Sequence, residues 1–332
     1  MPSTTARTAL AGALILSLPA TPVLAQGTAR AAISDYPAKP VRMIVPLAPG
    51  GGSDIVGRIV AFALTERWQQ PVIVDNRPGA GSRVGTSLAA KATADGYTLL
   101  VCSSSMAITP ALYKNLDFDV RADFTGVTLI ASQPSILAVH PSIPVKSVKE
   151  LVELAKARPG KLAYGSGGPG SATHLGNELL KYTAGINILH VPYKSAGQAT
   201  TALLSGETQM LLTNMASLLP HVKSGKVKAL GVSSSNRSPL APELPTLAES
   251  GLPGFEYATW YGMLVPAGTA GEVVNRVQAD TATLIRMPQT RERFTGQGLE
   301  VHGTPPAEFE RYLAAEIAKW GNLIRAAGVR VE

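Results

Sequence analysis

A chain of 332 residues with 45% hydrophobic and 16% charged content has ample core for about two domains of about 150 residues. Its formal charge of +7 leans weakly towards anionic partners, but Lys and Arg are scattered and aromatic content is 5%, which argues against a nucleic-acid-binding surface. The single cysteine, Cys102, rules out an intramolecular disulfide and a Cys-based metal cluster, and it reads as a small buried apolar side chain.

The N-terminus has the pattern of a secretory signal peptide over residues 1–25. Arg7 is its only charge, residues 8–20 form an apolar core, and Val23-Leu24-Ala25 is a small-residue cleavage pattern before Gln26. Cleavage after Ala25 predicts an exported mature chain. No later segment has 18 uninterrupted apolar residues to span a bilayer. Residues 26–35 read as a flexible leader.

Next comes Val41-Arg42-Met43-Ile44-Val45, an apolar run too short for a helix, followed by Pro46-Leu47-Ala48-Pro49-Gly50-Gly51-Gly52-Ser53-Asp54. After the glycines, Ile55, Val56, Ile59, Val60, Ala63 and Leu64 recur at helical spacing. The pattern predicts strand, bare loop and a helix over 53–68. A loop of this kind leaves backbone N–H groups uncovered at the positive end of a helix, which suits a carboxylate or phosphate. Packing alone also explains many such turns, and Asp54 at the helix start is first a cap.

A strand is predicted over 71–75, then the loop Asn76-Arg77-Pro78-Gly79-Ala80-Gly81, a helix over 82–92, and a strand over 97–102 running into Ser103-Ser104-Ser105. The same grammar returns later. The capping box Ser147-Val148-Lys149-Glu150 opens a helix that stops at Pro159-Gly160. Lys161 to Tyr164 leads into Gly165-Ser166-Gly167-Gly168-Pro169-Gly170, a helix over 171–184, a strand over 186–191, the loop Pro192 to Gly197, a helix to Leu204 and a strand over 209–212. Strand, glycine loop, helix, strand, loop, helix, strand thus occurs twice and predicts two similar α/β lobes, each a doubly wound, mostly parallel sheet with helices on both faces. From Trp260 a strand to Val265, a helix over 273–285 and a closing helix capped by Thr304-Pro305 follow. Phe309, Leu313, Ile317, Trp320 and Ile324 make one apolar face of that last helix. These elements are expected to return to the first lobe, which gives lobe one 36–135 and 259–332 and lobe two 136–258.

The chemical motifs are mostly negative. Gly165 to Gly170 matches G-x-G-x-x-G in form, yet no acid lies between Glu178 and Glu207 to take a ribose, and Pro169 removes a backbone donor; no nucleotide cofactor is expected. No G-x-x-x-x-G-K-[ST] and no G-x-S-x-G string occurs. The histidines His140, His174, His190, His221 and His302 lack metal-ligand spacing, so no metal site is expected, and His174 reads as a packing residue or an indirect hydrogen-bonding partner. What remains is a set of loops rich in backbone donors and hydroxyls, with almost no charge. Such loops bind better than they catalyse, and no catalytic residue is assigned.

The strings PLAPGGGSD, NRPGAG, DGYTLL, GSGGPGS, HVPYKSAG, LPHVKSGKVKALGV, LPTLAESGLPGFE and WYGMLVPAGT together resemble the substrate-binding receptors of tripartite tricarboxylate transporters, often called Bug receptors. The resemblance runs in consistent order from about Tyr36 onward. It implies a two-lobed periplasmic binding protein, type II-like, that closes around a small carboxylate and delivers it to a two-component membrane permease, with no cofactor. It further implies that main-chain groups and waters hold the ligand carboxylate. Carried over by position, the ligand-binding residues are Leu47, Pro49, Gly50, Gly51, Ser53 and Asp54 in the first loop, and Ser103 and Ser104 after the third strand. In the second lobe they are Gly167, Ser171, Thr173, Tyr193, Ser195 and Ala196, with Asn214 at a strand end.

Three departures from the family pattern bear on specificity. Leu47 stands where many members carry an aromatic residue, so that wall is smaller and aliphatic. Thr213-Asn214 replaces a frequent acid, which makes amino-acid ligands less favoured. Ser82-Arg83 replaces a glycine and a neutral residue; Arg83 would pair with a distal carboxylate if it faced the cleft, whereas an exposed helix arginine is the commoner case. Hinge crossings are placed at 131–139 and 257–265, and a monomer is the default state. A sensing receptor of the same fold, or an exported α/β enzyme, are the alternative function classes.

Overall fold

The computed structural model describes residues 1–3, 35–113, 115–168 and 171–327, and the fold below is that of the compact unit Pro37–Glu332. The signal peptide and leader expected from the sequence fall almost wholly on residues outside the described ones.

β1 (Val41–Val45) buries Val41, Met43, Ile44 and Val45, so both of its faces are covered, as in a parallel sheet with helices on both sides. It lies between β2 (Val72–Asn76) and β3 (Thr98–Ser103), parallel to each, with Met43 opposite Val74 and Leu99. Further along, β5 (Ala163–Ser166) lies in the same way between β6 (Leu189–Pro192) and β7 (Met210–Asn214), again parallel. The repeated grammar of the sequence is therefore a repeated topology: in each half the first strand sits between the second and the third.

Two longer strands join the halves. β4 (Phe124–Val139) and β9 (Ala258–Pro266) run antiparallel to one another, and β9 is inserted between β3 and β4. Residues 124–134 of β4 pair with β9, whereas 135–139 pair with β7, and 136–139 also with β8 (Lys228–Val232). A short β10 (Glu300–Val301) pairs with 131–132 of β4. The resulting order is β2-β1-β3-β9-β4-β7-β5-β6, with β8 and β10 attached to β4 beside this path. The parallel sheets read from the sequence occupy the two flanks. The middle is antiparallel because β9 enters the first half from the second.

Helices cover the sheet at Gly52–Trp68, Arg83–Ala90, Ser105–Leu112, Val148–Ala157, Ala172–Ala184, Ala196–Ser205, Met215–Lys223, Gly271–Arg286, Pro288–Thr295 and Pro306–Ala327. The predicted capping box forms with a small change. Ser147 Oγ accepts from Glu150 N–H, but the Glu150 carboxylate accepts from Lys146 N–H, one residue before the cap. Thr304 does not cap the last helix; its hydroxyl oxygen accepts from Leu129 N–H, and the helix opens on the Pro305 carbonyl. The reason is tertiary: the Leu129 amide competes for the same oxygen. The apolar face of that helix is buried at Phe309, Leu313, Trp320 and Ile324.

One buried carboxylate ties this helix to the sheet. Glu316 accepts from the indole N–H of Trp260 on β9 and of Trp320, both at 3.0 Å, and Lys319 supplies its counter-charge. Beside it the Phe309 ring packs edge-on to Trp260 and presses on Gly262, where an added Cβ would lie 2.2 Å from Phe309 Cζ. Gly262→Ala is expected to destabilise the fold by about 1–3 kcal/mol through overpacking. Chemical denaturation measures it, and an unchanged midpoint would show that Phe309 moves aside freely.

Candidate functional site

The first glycine loop is shaped by its own acid. Asp54 is almost fully buried; Oδ2 accepts from Gly50 N–H at 2.8 Å and from Arg58 Nε at 2.9 Å, and Oδ1 accepts from Asn76 Nδ2 at 2.9 Å. Burial pushes the Asp54 carboxyl up, but hydrogen bonds from Arg58, Gly50 and Asn76, together with the Arg58 charge, outweigh it and hold the group below the usual carboxylate range. Asn76 also donates to the Leu47 carbonyl at 3.1 Å. The carboxylate thus braces the loop, and its oxygens are already occupied by protein donors.

Ser53, one residue earlier, is the opposite case. It is 1% exposed, it sits in the first turn of the Gly52–Trp68 helix, and its Oγ has no hydrogen-bond partner. A buried orphan hydroxyl is rare and asks for an explanation. Ser53 lines a cavity of about 450 Å3, together with Leu47, Gly52, Ser103, Ser104 and Ser105 from the first half. Ser171 and Ala172 enter from the start of the Ala172–Ala184 helix, and Thr259 and Tyr261 from β9.

Gly52 is required by a close approach. A Cβ there would lie 2.0 Å from Tyr261 Oη, so only glycine lets the helix start meet the β9 ring. Burial pushes the Tyr261 phenol up to about 12, which keeps it neutral.

Two smaller cavities adjoin the first. One of about 190 Å3 shares Ser171, Ala172 and Thr259 with it and adds Ser135, Gly167, Thr173, Ala196, Thr213 and Asn214; the other, of about 240 Å3, shares Gly52 and Tyr261 and adds Gln133, Ser217 and again Asn214. Among the described residues no Asp, Glu, Lys, Arg or His lines any of the three. Thr213 Oγ1, on the second-half side, is a further buried hydroxyl without a partner. Among the described residues no cluster of His, Cys, Asp or Glu could hold a metal ion.

Of the residues singled out from the sequence, Leu47, Ser53, Ser103, Ser104, Gly167, Ser171, Thr173, Ala196 and Asn214 line these adjoining cavities. Several of them are partly engaged already. Gly167 N–H donates to Thr173 Oγ1, Ser171 Oγ accepts from His174 N–H, and Asn214 Oδ1 accepts from Ser217 N–H. Pro49, Gly50, Gly51, Asp54, Tyr193 and Ser195 do not line them. Tyr193 donates its hydroxyl to Glu207 at 2.7 Å, and Ser195 caps the following helix by accepting from Gln198 N–H.

Arg83 does not line them either. Its guanidinium stacks on the Tyr113 ring at 4.9 Å and donates to the Asn115 carbonyl. Cys102 is buried and does not line the cavities, with its thiol pushed up to about 12 by burial. Residues that sequence reasoning missed are Gly52, Gly81, Ser105, Ile108, Thr109, Leu112, Tyr113, Ala172, Thr259 and Tyr261. A helical spacing of Ile108 and Leu112 after the serines was the available signal, and Pro110 inside that helix masks it.

Beneath the second-half loop, His174 and His190 stack at 4.2 Å, and Ser166 Oγ and His190 Nε2 lie 2.6 Å apart. Ser166 Oγ in turn accepts from Gly168 N–H, so the pair supports the loop that presents Gly167. Burial, reinforced by the neighbouring His174, lowers His190 to about 4, against a weaker opposing pull from Glu178; burial also lowers His174. An unfolded histidine takes its proton near pH 6.5. The unfolded chain therefore binds more protons than the folded one between about pH 6.5 and 4, and stability falls as pH drops through that window. The melting temperature is expected to decline there, and more shallowly in His190→Phe. Equal slopes in the two proteins would remove the histidine pair as the cause.

The tripartite tricarboxylate transporter family receptor family matches residues 56–329. The protein BugT of Bordetella pertussis is 35% identical over 299 residues, covering 90% of this chain and 92% of BugT. Among solved structures, an R. palustris protein with adipate is 34% identical with a TM-score of 0.73, covering 89% of this chain and 99% of that one. The periplasmic binding protein BugD is 33% identical with a TM-score of 0.70, covering 90% and 100%. The fold is that of the two-lobed periplasmic solute-binding proteins, and this chain belongs to the tripartite tricarboxylate transporter receptors, which are substrate-binding proteins and not enzymes.

Proposed function

We propose that this chain is a periplasmic receptor that captures a small carboxylate in the cleft between its two lobes and delivers it to the membrane permease of a tripartite transporter. The observation that carries the reading is the orphan hydroxyl of Ser53, buried at a helix N-terminus in a cleft that, among the described residues, no Asp, Glu, Lys, Arg or His lines. A carboxylate there would accept from Ser53 and from the uncovered N–H groups of the first helical turn, and the helix dipole favours its charge. No buried counter-charge is then needed. The adipate held by the R. palustris relative agrees with that chemistry.

Leu47, Ser53, Ser103, Ser104, Gly167, Ser171, Thr173, Ala196 and Asn214 are proposed as ligand-contacting residues. Pro49, Gly50, Gly51 and Asp54 are proposed to shape the first loop, and Tyr193 and Ser195 the second. The change of partner along β4 between 134 and 135 supports lobes at 36–135 with 259–332, and at 136–258, joined through β4 and β9. Export by the signal peptide, with cleavage after Ala25, belongs to the same reading, as does a monomeric state; among the described residues no helix is long and apolar enough to cross a membrane.

A thermal-shift screen of protein stripped of carried-over ligand tests this. A carboxylate at 100 times its dissociation constant should add about 2.7 kcal/mol of stability. Silence from mono-, di- and tricarboxylates with a shift from NAD(P) would overturn it. Solution scattering with a saturating carboxylate should show compaction, because a ligand bridging two lobes favours the closed form.

A further inference from the structure

The main cavity has a polar end and an apolar end, and one helix spans both. The Ser105–Leu112 helix starts among the hydroxyls of Ser103, Ser104 and Ser105; one turn and two turns on, Ile108 and Leu112 form cavity wall, and Tyr113 follows. Eight helical residues extend about 12 Å. A carboxylate held at the serine end therefore points the remainder of its molecule along Ile108, Leu112 and Tyr113.

The electrostatics run the same way. The positive end of that helix lies at the serines, and its uncovered carbonyls lie at the Leu112 end. A second carboxylate there would be stripped of water against Ile108, Leu112 and the Tyr113 ring, facing those carbonyls with only the neutral hydroxyls of Thr109 and Tyr113 to offset its charge. Among the described residues no Lys or Arg lines this cavity: Arg83 is stacked on Tyr113 and bonded to the Asn115 carbonyl, outside the lining.

Resting on the carboxylate reading above, we infer that the preferred ligand is a monocarboxylate with an uncharged, apolar body, an acyl chain or an aromatic ring, and that Ile108, Leu112 and Tyr113 select it against di- and tricarboxylates. This differs from simple inheritance of adipate as ligand from the R. palustris relative. The cavity of about 450 Å3 has room for a six-carbon chain or a substituted ring.

Calorimetric titration of the stripped, refolded protein with hexanoate, benzoate, adipate and citrate tests the inference. Hexanoate and adipate have the same length and differ only in a terminal methyl against a carboxylate. Hexanoate or benzoate is expected to bind at least tenfold tighter than adipate, with citrate weaker still. Leu112→Ser should reduce the hexanoate-to-adipate ratio severalfold, and Arg83→Met, which keeps bulk against the Tyr113 ring without the charge, should leave that ratio unchanged.

Adipate or citrate binding as tightly as hexanoate would overturn the inference, leaving the carboxylate receptor intact. So would a selective loss of adipate affinity in Arg83→Met, because the guanidinium would then be the partner of a second carboxylate. Failure of all four acids to bind would overturn this inference, and the wider carboxylate and NAD(P) screen then decides the receptor reading.

Discussion

Asp54→Ala is expected to destabilise the protein by about 3 kcal/mol and to abolish the response to carboxylates. The side chain is 4% exposed, and it satisfies three donors from three places: Gly50 N–H in its own loop, Arg58 one turn further along the helix, and Asn76 at the end of β2. Hydrogen bonds to a charged group contribute about 1.5–3 kcal/mol each, and buried donors left without a partner add their desolvation cost. Arg58 is more than half exposed and returns to water, so the loss falls on Gly50 and Asn76. Freed of both, residues 46–52 no longer hold the helix start against Tyr261.

Asp54→Asn keeps an acceptor for Asn76 and should lose less. Denaturant titration and calorimetric titration measure the two effects. Full carboxylate binding by Asp54→Ala would show that the loop holds its shape without the brace. The sign of the pH dependence follows from the depressed folded pKa. The stabilisation is complete above the ordinary carboxylate range, and it is lost as pH falls through the lower folded value.

Ser53→Ala is expected to act in opposite directions on stability and binding. Its hydroxyl is buried with no partner in the free protein, so its removal takes away a desolvated polar group, and the melting temperature should stay constant or rise. If that hydroxyl donates to the ligand carboxylate, its loss weakens binding by a charged hydrogen bond, roughly 10- to 100-fold. Few substitutions at a structural serine would separate the two readouts in this way. A melting temperature that falls with unchanged affinity would remove Ser53 from the ligand contacts.

Much of the site was legible in advance because it is local. Ser53, Ser103-Ser104, Gly167, Ser171 and Thr173 of the cavity linings stand where an apolar run gives way to helical spacing, and the end of a parallel strand is where such loops meet a ligand. The Ser147 cap could likewise be read from residue type and spacing, whereas Ser171 and Ser195, singled out as ligand contacts, prove also to cap the helices that follow them. Less legible were the Ser105–Leu112 and Met215–Lys223 helices, each interrupted by a proline, at Pro110 and Pro220. There local propensity argues against a helix and packing against the sheet overrides it. Pro134 likewise disguises β4 as two shorter runs.

From residue type and order alone came the repeated strand–loop–helix grammar, the uncharged character of the loops and the family resemblance. All of these depend on neighbours within a few tens of residues. Which hydroxyls share one cleft was decided by the tertiary structure. Ser53, Ser104, Ser171 and Tyr261 are brought together only because β9 returns across the chain and pairs antiparallel with both β3 and β4. Hydrophobic alternation says which residues of a strand face the core; it does not say which strand lies beside it, or in which direction, when the partner is more than a hundred residues away. That pairing also set Tyr261 against Gly52, and the packing beside it turned Arg83 onto Tyr113 and out of the cavity lining.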